Sequence, residues 1–225
     1  MDCVFFNKCK ERLDRISDSM IHANQAFSVY MQMRNFQEEH NELINISPGF
    51  YRCVFSCCVE VLFIEINKMF DPDPSSDGIL GLLNSMKRSI DLLDREKPIA
   101  AGVIEKIDGK KWDSYEYENI EQLIDKAIES ISQHDKIIYR VKTQRDKFYA
   151  HQDKDIKNLN DFFKKHSVSI IDLETLIVLN TNLFNALYTY FKNTTLMPVA
   201  NNHEDFKKTV YYIEKGVEAL RELEG

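Results

Sequence analysis

Long stretches with an apolar period near 3.6 residues, few prolines to interrupt them and no run of alternating strand-type residues together predict an all-α fold. The five prolines stand at positions 48, 72, 74, 98 and 198. No Pro/Gly/Ser-rich linker divides the 225 residues, and a chain of this length can bury a full core. The expected architecture is one domain over residues 1–225, an elongated helical bundle of about five to seven helices. It centres on helices near 48–70, 119–153 and 169–192.

Residues 2 to about 40 read as a first long helix, with Leu13, Ile16, Met20, Ala23, Phe27, Tyr30 and Phe36 along one broad side. Asn41 to Ser47 breaks that period, and Pro48 suits the first turn of a second helix. This helix, about Pro48 to Phe70, is the most apolar in the chain. Phe50, Val54, Cys57, Val61 and Ile64 form one stripe beside a second of Cys58, Leu62 and Ile66, which predicts a central or interface position. DPDPSSDG ends it. A third helix covers about Ile79 to Arg95 through Leu82, Leu83, Met86, Ile90 and Leu93. Pro98 interrupts, Ile99 to Ile107 is expected as a short helix closed by Gly109, and GKKWDSYEYEN reads as a polar connection pinned by Trp112.

The longest helix is expected from Asn119 to about Asp153, with Leu123, Ala127, Ile131, Ile138 and Val141 inward. NLNDFFKKHS then forms a short turn or helical cap. A helix from about Ser169 to Lys192 carries Ile170, Leu173, Ile177, Phe184, Leu187 and Phe191, and NTTLMPVANN is a loop. His203 to Glu224 closes the chain with Phe206, Val210, Ile213, Val217 and Leu220 at helical spacing.

Composition excludes several classes. The first residues, MDCVFFNKCKERLDR, lack the basic-then-apolar order of a secretory signal, and Glu60 breaks the best candidate for a membrane span. Cys53, Cys57 and Cys58 sit in an apolar helical run where small buried thiols pack well, which fits a reduced, cytoplasmic protein. Cys3 and Cys9 lack a CxxC partner for structural zinc. Asp73, Ser75, Asp77 and Gly78 match the opening of a calcium-binding loop, but Asn84 stands where the bidentate carboxylate belongs. A helix stop with an N-cap at Asp77 accounts for the segment better. No phosphate loop, dinucleotide fingerprint, HExxH or GxSxG occurs, and Asp153 and Asp155 near His151 lack the compact spacing of a dedicated metal site. No metal and no cofactor are expected.

The formal charge of −7 argues against a protein that coats nucleic acid. From His134 to Lys165, however, nine Lys/Arg face five Asp/Glu, a local net of +4 that leaves −11 for the rest. That segment also holds the main anomaly. Beyond Val141 the inward positions of the long helix supply Arg145, then Phe148, with His151 one turn on. A guanidinium on the core side of a helix is costly unless it is paired or lies at a cleft. In an ideal α-helix Arg145 lies about 40° from Val141, and His151 about 120° around from Arg145 and roughly 9 Å along the axis. The two do not share a narrow face. A second copy across a two-fold axis, or a helix end near His151, would bring them together.

The segment RDKFYAH, Arg145 to His151, resembles the Arg-x(4–6)-His signature of the HEPN superfamily, with five intervening residues and the polar Asp146 directly after the arginine. The wider pattern RDKxxAHxD is similar to its AbiU-like abortive-infection branch. The likeness covers about residues 1–195. It implies a HEPN-like four-helix core with extra helices, on which the helix at 203–224 packs, and a homodimer whose motif helices face each other. It also implies a metal-independent endoribonuclease of a toxin–antitoxin or phage-defence system, acting on single-stranded RNA and held by an antitoxin protein, with no membrane role. Arg145 and His151 carry the two defining roles and Asp146 the polar position. Within what the resemblance implies, Lys142 and Lys147 would steer RNA, and Tyr149 would hydrogen-bond the backbone or pack. The alternative is a catalytically inactive interaction module or regulatory protein, in which Arg145 pairs with an acidic residue of another helix.

Overall fold

Helices make up most of the regular structure in the chain, whose computed structural model describes residues 3–39, 41–97, 99–100, 116–149, 156, 158–194 and 205–224. In chain order they are α1 (Cys3–Glu39), α2 (Asn41–Ile44), α3 (Pro48–Met69), α4 (Ile79–Arg88), α5 (Ile120–Ser132), α6 (Asp135–Gln144), α7 (Leu159–Lys165), α8 (Ile170–Lys192) and α9 (Asp205–Glu224). A 3₁₀ turn covers Ile90–Leu92 and a π-helical turn Arg145–Tyr149. The fold is all-α, as the periodicity predicts.

The chain divides into two compact units, the first formed by Met1–Met20 and Phe63–Pro198, the second by Ile21–Leu62 and Val199–Gly225. In the first unit, α4, α5 and α8 pack on one another. Ile79, Leu82, Leu83 and Met86 of α4, Leu123, Ala127 and Ile131 of α5, and Leu176, Phe184 and Leu187 of α8 are buried. Phe6 of α1 packs its ring 4.9 Å from Phe191 and 6.1 Å from Tyr190. In the second unit Met33, Phe36, Ile44, Tyr51 and Val210 share one cluster, and the Tyr30 and Phe55 rings meet edge to face at 5.4 Å. α8 is the one helix among the described residues long and apolar enough to cross a membrane, and 56% of that stretch is buried.

Several boundaries differ from the sequence reading, each for a local reason. The expected 119–153 helix breaks at Gln133–His134: the His134 amide bonds back to Ile131 O at 2.9 Å, and its ring Nδ1 lies 2.9 Å from Ser130 O. These contacts take up groups an α-helical register would use, and Asp135 starts α6. The helix expected over 79–95 ends at Arg88, because the Ser89 amide closes on Met86 O and Leu92 on Ser89 O. Ile99–Ala100 is not helical. It pairs antiparallel with Glu116–Tyr117, a two-residue ladder that buries β-branched Ile99 and the ring of Tyr117. Trp112 lies outside the described residues.

The loop after α3 is a helix stop, although Asp77 is not the cap. Gly78 is the N-cap of α4, and Asp77 pairs instead with Arg15 of α1 at 2.8 and 3.0 Å. Arg12 donates to Ser76 O. A Cβ at Gly78 would meet Lys68 O, so the loop lies directly on the carbonyls that end α3. The Asp73 carboxylate accepts from the Ser75 amide and hydroxyl, which hold it below the usual carboxylate range. Among the cysteines, Cys9 and Cys58 are buried, but Cys53 and Cys57 are exposed. The stripe Cys58, Leu62 and Ile66 is in the core, whereas Phe50, Cys57 and Val61 of its neighbour face solvent.

The C-terminal end of α8 is locked to the segment after α4. Tyr190 Oη accepts from the Asp94 amide at 2.9 Å and lies 3.2 Å from Asp94 O. Burial pushes its hydroxyl up to about 12. Lys97 Nζ donates to Tyr190 O and to Asn193 Oδ1, and Asn193 takes the left-handed conformation that closes the helix. Tyr190→Phe leaves both Asp94 groups without their partner and is expected to cost about 1–3 kcal/mol. The readout is a lower urea midpoint at unchanged slope.

Candidate functional site

Arg145, Asp146, Lys147 and Tyr149 all lie on the π-turn, in which hydrogen bonds span one residue more than in an α-helix. The angular relation of a straight α-helix therefore does not hold through this segment. π-turns of one turn recur at functional sites, because they re-aim side chains without ending the helix. Here Val141 and Gln144 keep the buried side of α6, and Gln144 Nε2 donates to His166 O at 2.5 Å. Arg145 is rotated off the core centre and keeps 30% of its side-chain surface exposed.

Its guanidinium is held from two sides. Asn67, buried near the end of α3, turns its amide oxygen toward Arg145 and accepts from Nε at 3.1 Å and from Nη2. Nη1 pairs with Asp146 at 3.0 Å. The partner on the neighbouring helix is thus a neutral amide, not the carboxylate that a structural ion pair requires. Asp146 is half exposed and balances the charge only from the solvent side.

The turn is fixed by aromatic packing. The Tyr149 ring lies 4.7 Å from Phe63 of α3 and 5.0 Å from Phe148, and Phe148 lies 4.8 Å from Phe163 of α7. Phe163 continues to Phe162 at 5.4 Å, and Phe162 to His166 at 5.1 Å. Tyr149 thus packs within this chain of rings. Lys142 and Lys147 are exposed, on α6 and on the π-turn respectively. His151 lies outside the described residues, as do Asp153 and Asp155. No group of three or more His, Cys, Asp or Glu side chains that could hold a metal occurs among the described residues.

Two neighbours of the motif escape a reading by motif alone. Asn67 is a polar residue in the apolar run LFIEINKMF, a signal visible in the sequence. His166 closes α7 and lies among cations: burial first, then Lys165, Lys147 and Arg140, hold its imidazole below the ordinary histidine value. Only the packing of α7 against α6 brings it there.

A family model for AbiU2, of the HEPN group, matches residues 6–209, from the start of α1 into α9. The chain belongs to the AbiU2 family. It is an abortive-infection-associated HEPN domain. A search of the curated proteins and one of the solved structures return no match. In this AbiU2 chain Asn67 is the residue of another helix that orients Arg145.

Removing the arginine separates two kinds of support. Arg145→Ala in the AbiU2 chain loses hydrogen bonds to a neutral amide and to a half-exposed carboxylate, so the expected loss is about 1–2 kcal/mol. A buried ion pair would cost about 3–5 kcal/mol. Urea unfolding of the wild type and the variant decides between the two values.

Proposed function

We propose that this AbiU2-family chain is a metal-independent endoribonuclease whose motif carries the chemistry. The observation that supports the reading most is the state of Arg145, ordered by Asn67 yet left partly open to solvent. An arginine kept for structure alone is expected to be paired and closed off. An arginine kept for an anion needs fixed orientation and an open edge.

The chemistry follows from the substrate. RNA carries its own nucleophile, the 2′-hydroxyl beside the scissile phosphate. His151, as an imidazole, removes that proton or protonates the leaving 5′-oxygen. With Nε and Nη2 engaged by Asn67, the Nη1 side of Arg145 is the side that meets a phosphate oxygen, which displaces Asp146 from its 3.0 Å contact. The guanidinium then stabilises the charge that grows on the phosphoryl oxygens. Asp146, once released, orients either partner. Lys142 and Lys147 draw the strand in.

In the same reading the protein works in the cytoplasm as a homodimer restrained by an antitoxin protein. The exposed Phe50, Cys53, Cys57 and Val61 of α3 support self-association. A second reading rests on the same contacts seen from inside: Asn67 and Asp146 already occupy the guanidinium, as they would in an inactive interaction module of a defence system.

Incubating mixed single-stranded RNA with folded wild type, His151→Ala and Arg145→Ala tests the enzyme. Cleavage that persists in EDTA, leaves 2′,3′-cyclic phosphate ends, spares DNA and is lost in both variants is the expected outcome. Equal cleavage by all three assigns the activity to a contaminant, and inert wild type favours the interaction module. Sedimentation equilibrium of the same samples at micromolar concentration is expected to give a dimer, and a monomer throughout refutes the self-associating face.

A further inference from the structure

Outside the arginine turn, the surface with the most specific chemistry is where α6 meets the C-terminal end of α7. Lys136, Tyr139, Arg140 and Thr143 recur at three- and four-residue spacing, so they share one face of α6. Tyr139 is an aromatic residue with 63% of its surface exposed. Its ring centre lies 6.3 Å from that of His166. His166 is in turn backed by Phe162 at 5.1 Å. The segment carrying it is tied down by Gln144 Nε2 on His166 O at 2.5 Å and Arg140 Nη1 on Ser167 O at 3.4 Å.

The charge that acts on the His166 ring has one sign. The charged groups that act on His166 are Lys165, Lys147 and Arg140, all cationic. They sit in the one segment of net +4 in a chain of −7. Like charges gathered around two rings repel one another, and a polyanion relieves the repulsion. An exposed ring face beside a track of cations is the combination by which proteins hold single-stranded nucleic acid: bases stack on the ring and the backbone follows the charges.

We propose that Tyr139 and His166 form a nucleobase platform for single-stranded RNA, with Arg140, Lys147 and Lys165 on the flanking phosphates. Tyr139 supplies the stacking face. His166 presents ring nitrogens to the edge of the same base or its neighbour. Because Lys147 lies on the π-turn with Arg145, a strand on the platform continues to the motif. The choice of RNA as ligand rests on the ribonuclease reading; the platform itself rests on the α6–α7 geometry.

The test uses the full chain and a short fluorescent single-stranded oligoribonucleotide, 2′-O-methylated throughout so that binding is read without cleavage. In anisotropy titrations Tyr139→Ala is expected to weaken binding about tenfold or more, through loss of one stacked base, and Tyr139→Phe to bind as wild type. Arg140→Gln is expected to lower the slope of log K against log salt by about 0.7, one phosphate contact on a single strand. Lys215→Gln, on α9, serves as the control and leaves binding unchanged. Circular dichroism confirms that each variant is folded. Wild type that does not bind, or Tyr139→Ala and Arg140→Gln that bind as wild type, overturns the platform. Cleavage of the unmodified oligonucleotide is scored separately. Platform-dependent binding without cleavage keeps the platform and removes the nuclease, while cleavage with unchanged variant affinities does the reverse.

Discussion

A guanidinium on the inner side of an amphipathic helix has lost part of its water, and the protein has to supply the missing hydrogen bonds. In this chain Asn67 supplies them, through an amide oxygen that reaches Nε and Nη2 of Arg145. A neutral acceptor satisfies these donors without cancelling the charge, and Asp146 at 3.0 Å from Nη1 supplies the balancing carboxylate. The π-turn is the backbone counterpart of this contact. It rotates Arg145 away from the centre of the core, and Gln144 takes the buried place instead, with its own amide satisfied by His166 O.

The position of Asn67 depends on how α3 ends. The Phe70 amide closes on Asn67 O and the Asp71 amide on Lys68 O, and the following loop lies so close to these carbonyls that only glycine fits at position 78. Arg12 and Arg15 of α1 then hold the loop through Ser76 O and Asp77. The support of the candidate site thus extends from the arginine through α3 and its stop to α1. On the other side, rings from Phe63 through Tyr149, Phe148, Phe163 and Phe162 to His166 join α3, the π-turn and α7. Such contacts restrict rotamers, which is how a charged side chain keeps one orientation at modest energetic cost.

Charge distribution gives these local facts a direction. The chain is acidic, as a protein that avoids indiscriminate binding to nucleic acid should be, while one segment of α6, the π-turn and α7 reverses the sign. The reversal lies within the span that matches the AbiU2 family.

The sequence by itself determined the helical class, the extents of α1, α3, α8 and α9 to within a few residues, and the family, because each rests on local quantities: a 3.6-residue period, proline and glycine stops, and a motif contained within one stretch of chain. It also marked Arg145 as anomalous by its place on the apolar stripe. Periodicity extrapolated through 119–153 was bound to miss the break at His134 and the π-turn at Arg145–Tyr149, since both arise where side chains or neighbouring helices compete with α-helical hydrogen bonds. The exposure of Cys53 and Cys57, the pairing of Ile99 with Tyr117 and the replacement of Asp77 by Gly78 as N-cap were likewise beyond local pattern. Only the tertiary structure decided that Asn67 holds Arg145 and that His166 joins Tyr139. Those contacts bridge segments far apart in the chain, and no local propensity encodes which distant side chain completes the hydrogen bonds of a half-buried charge.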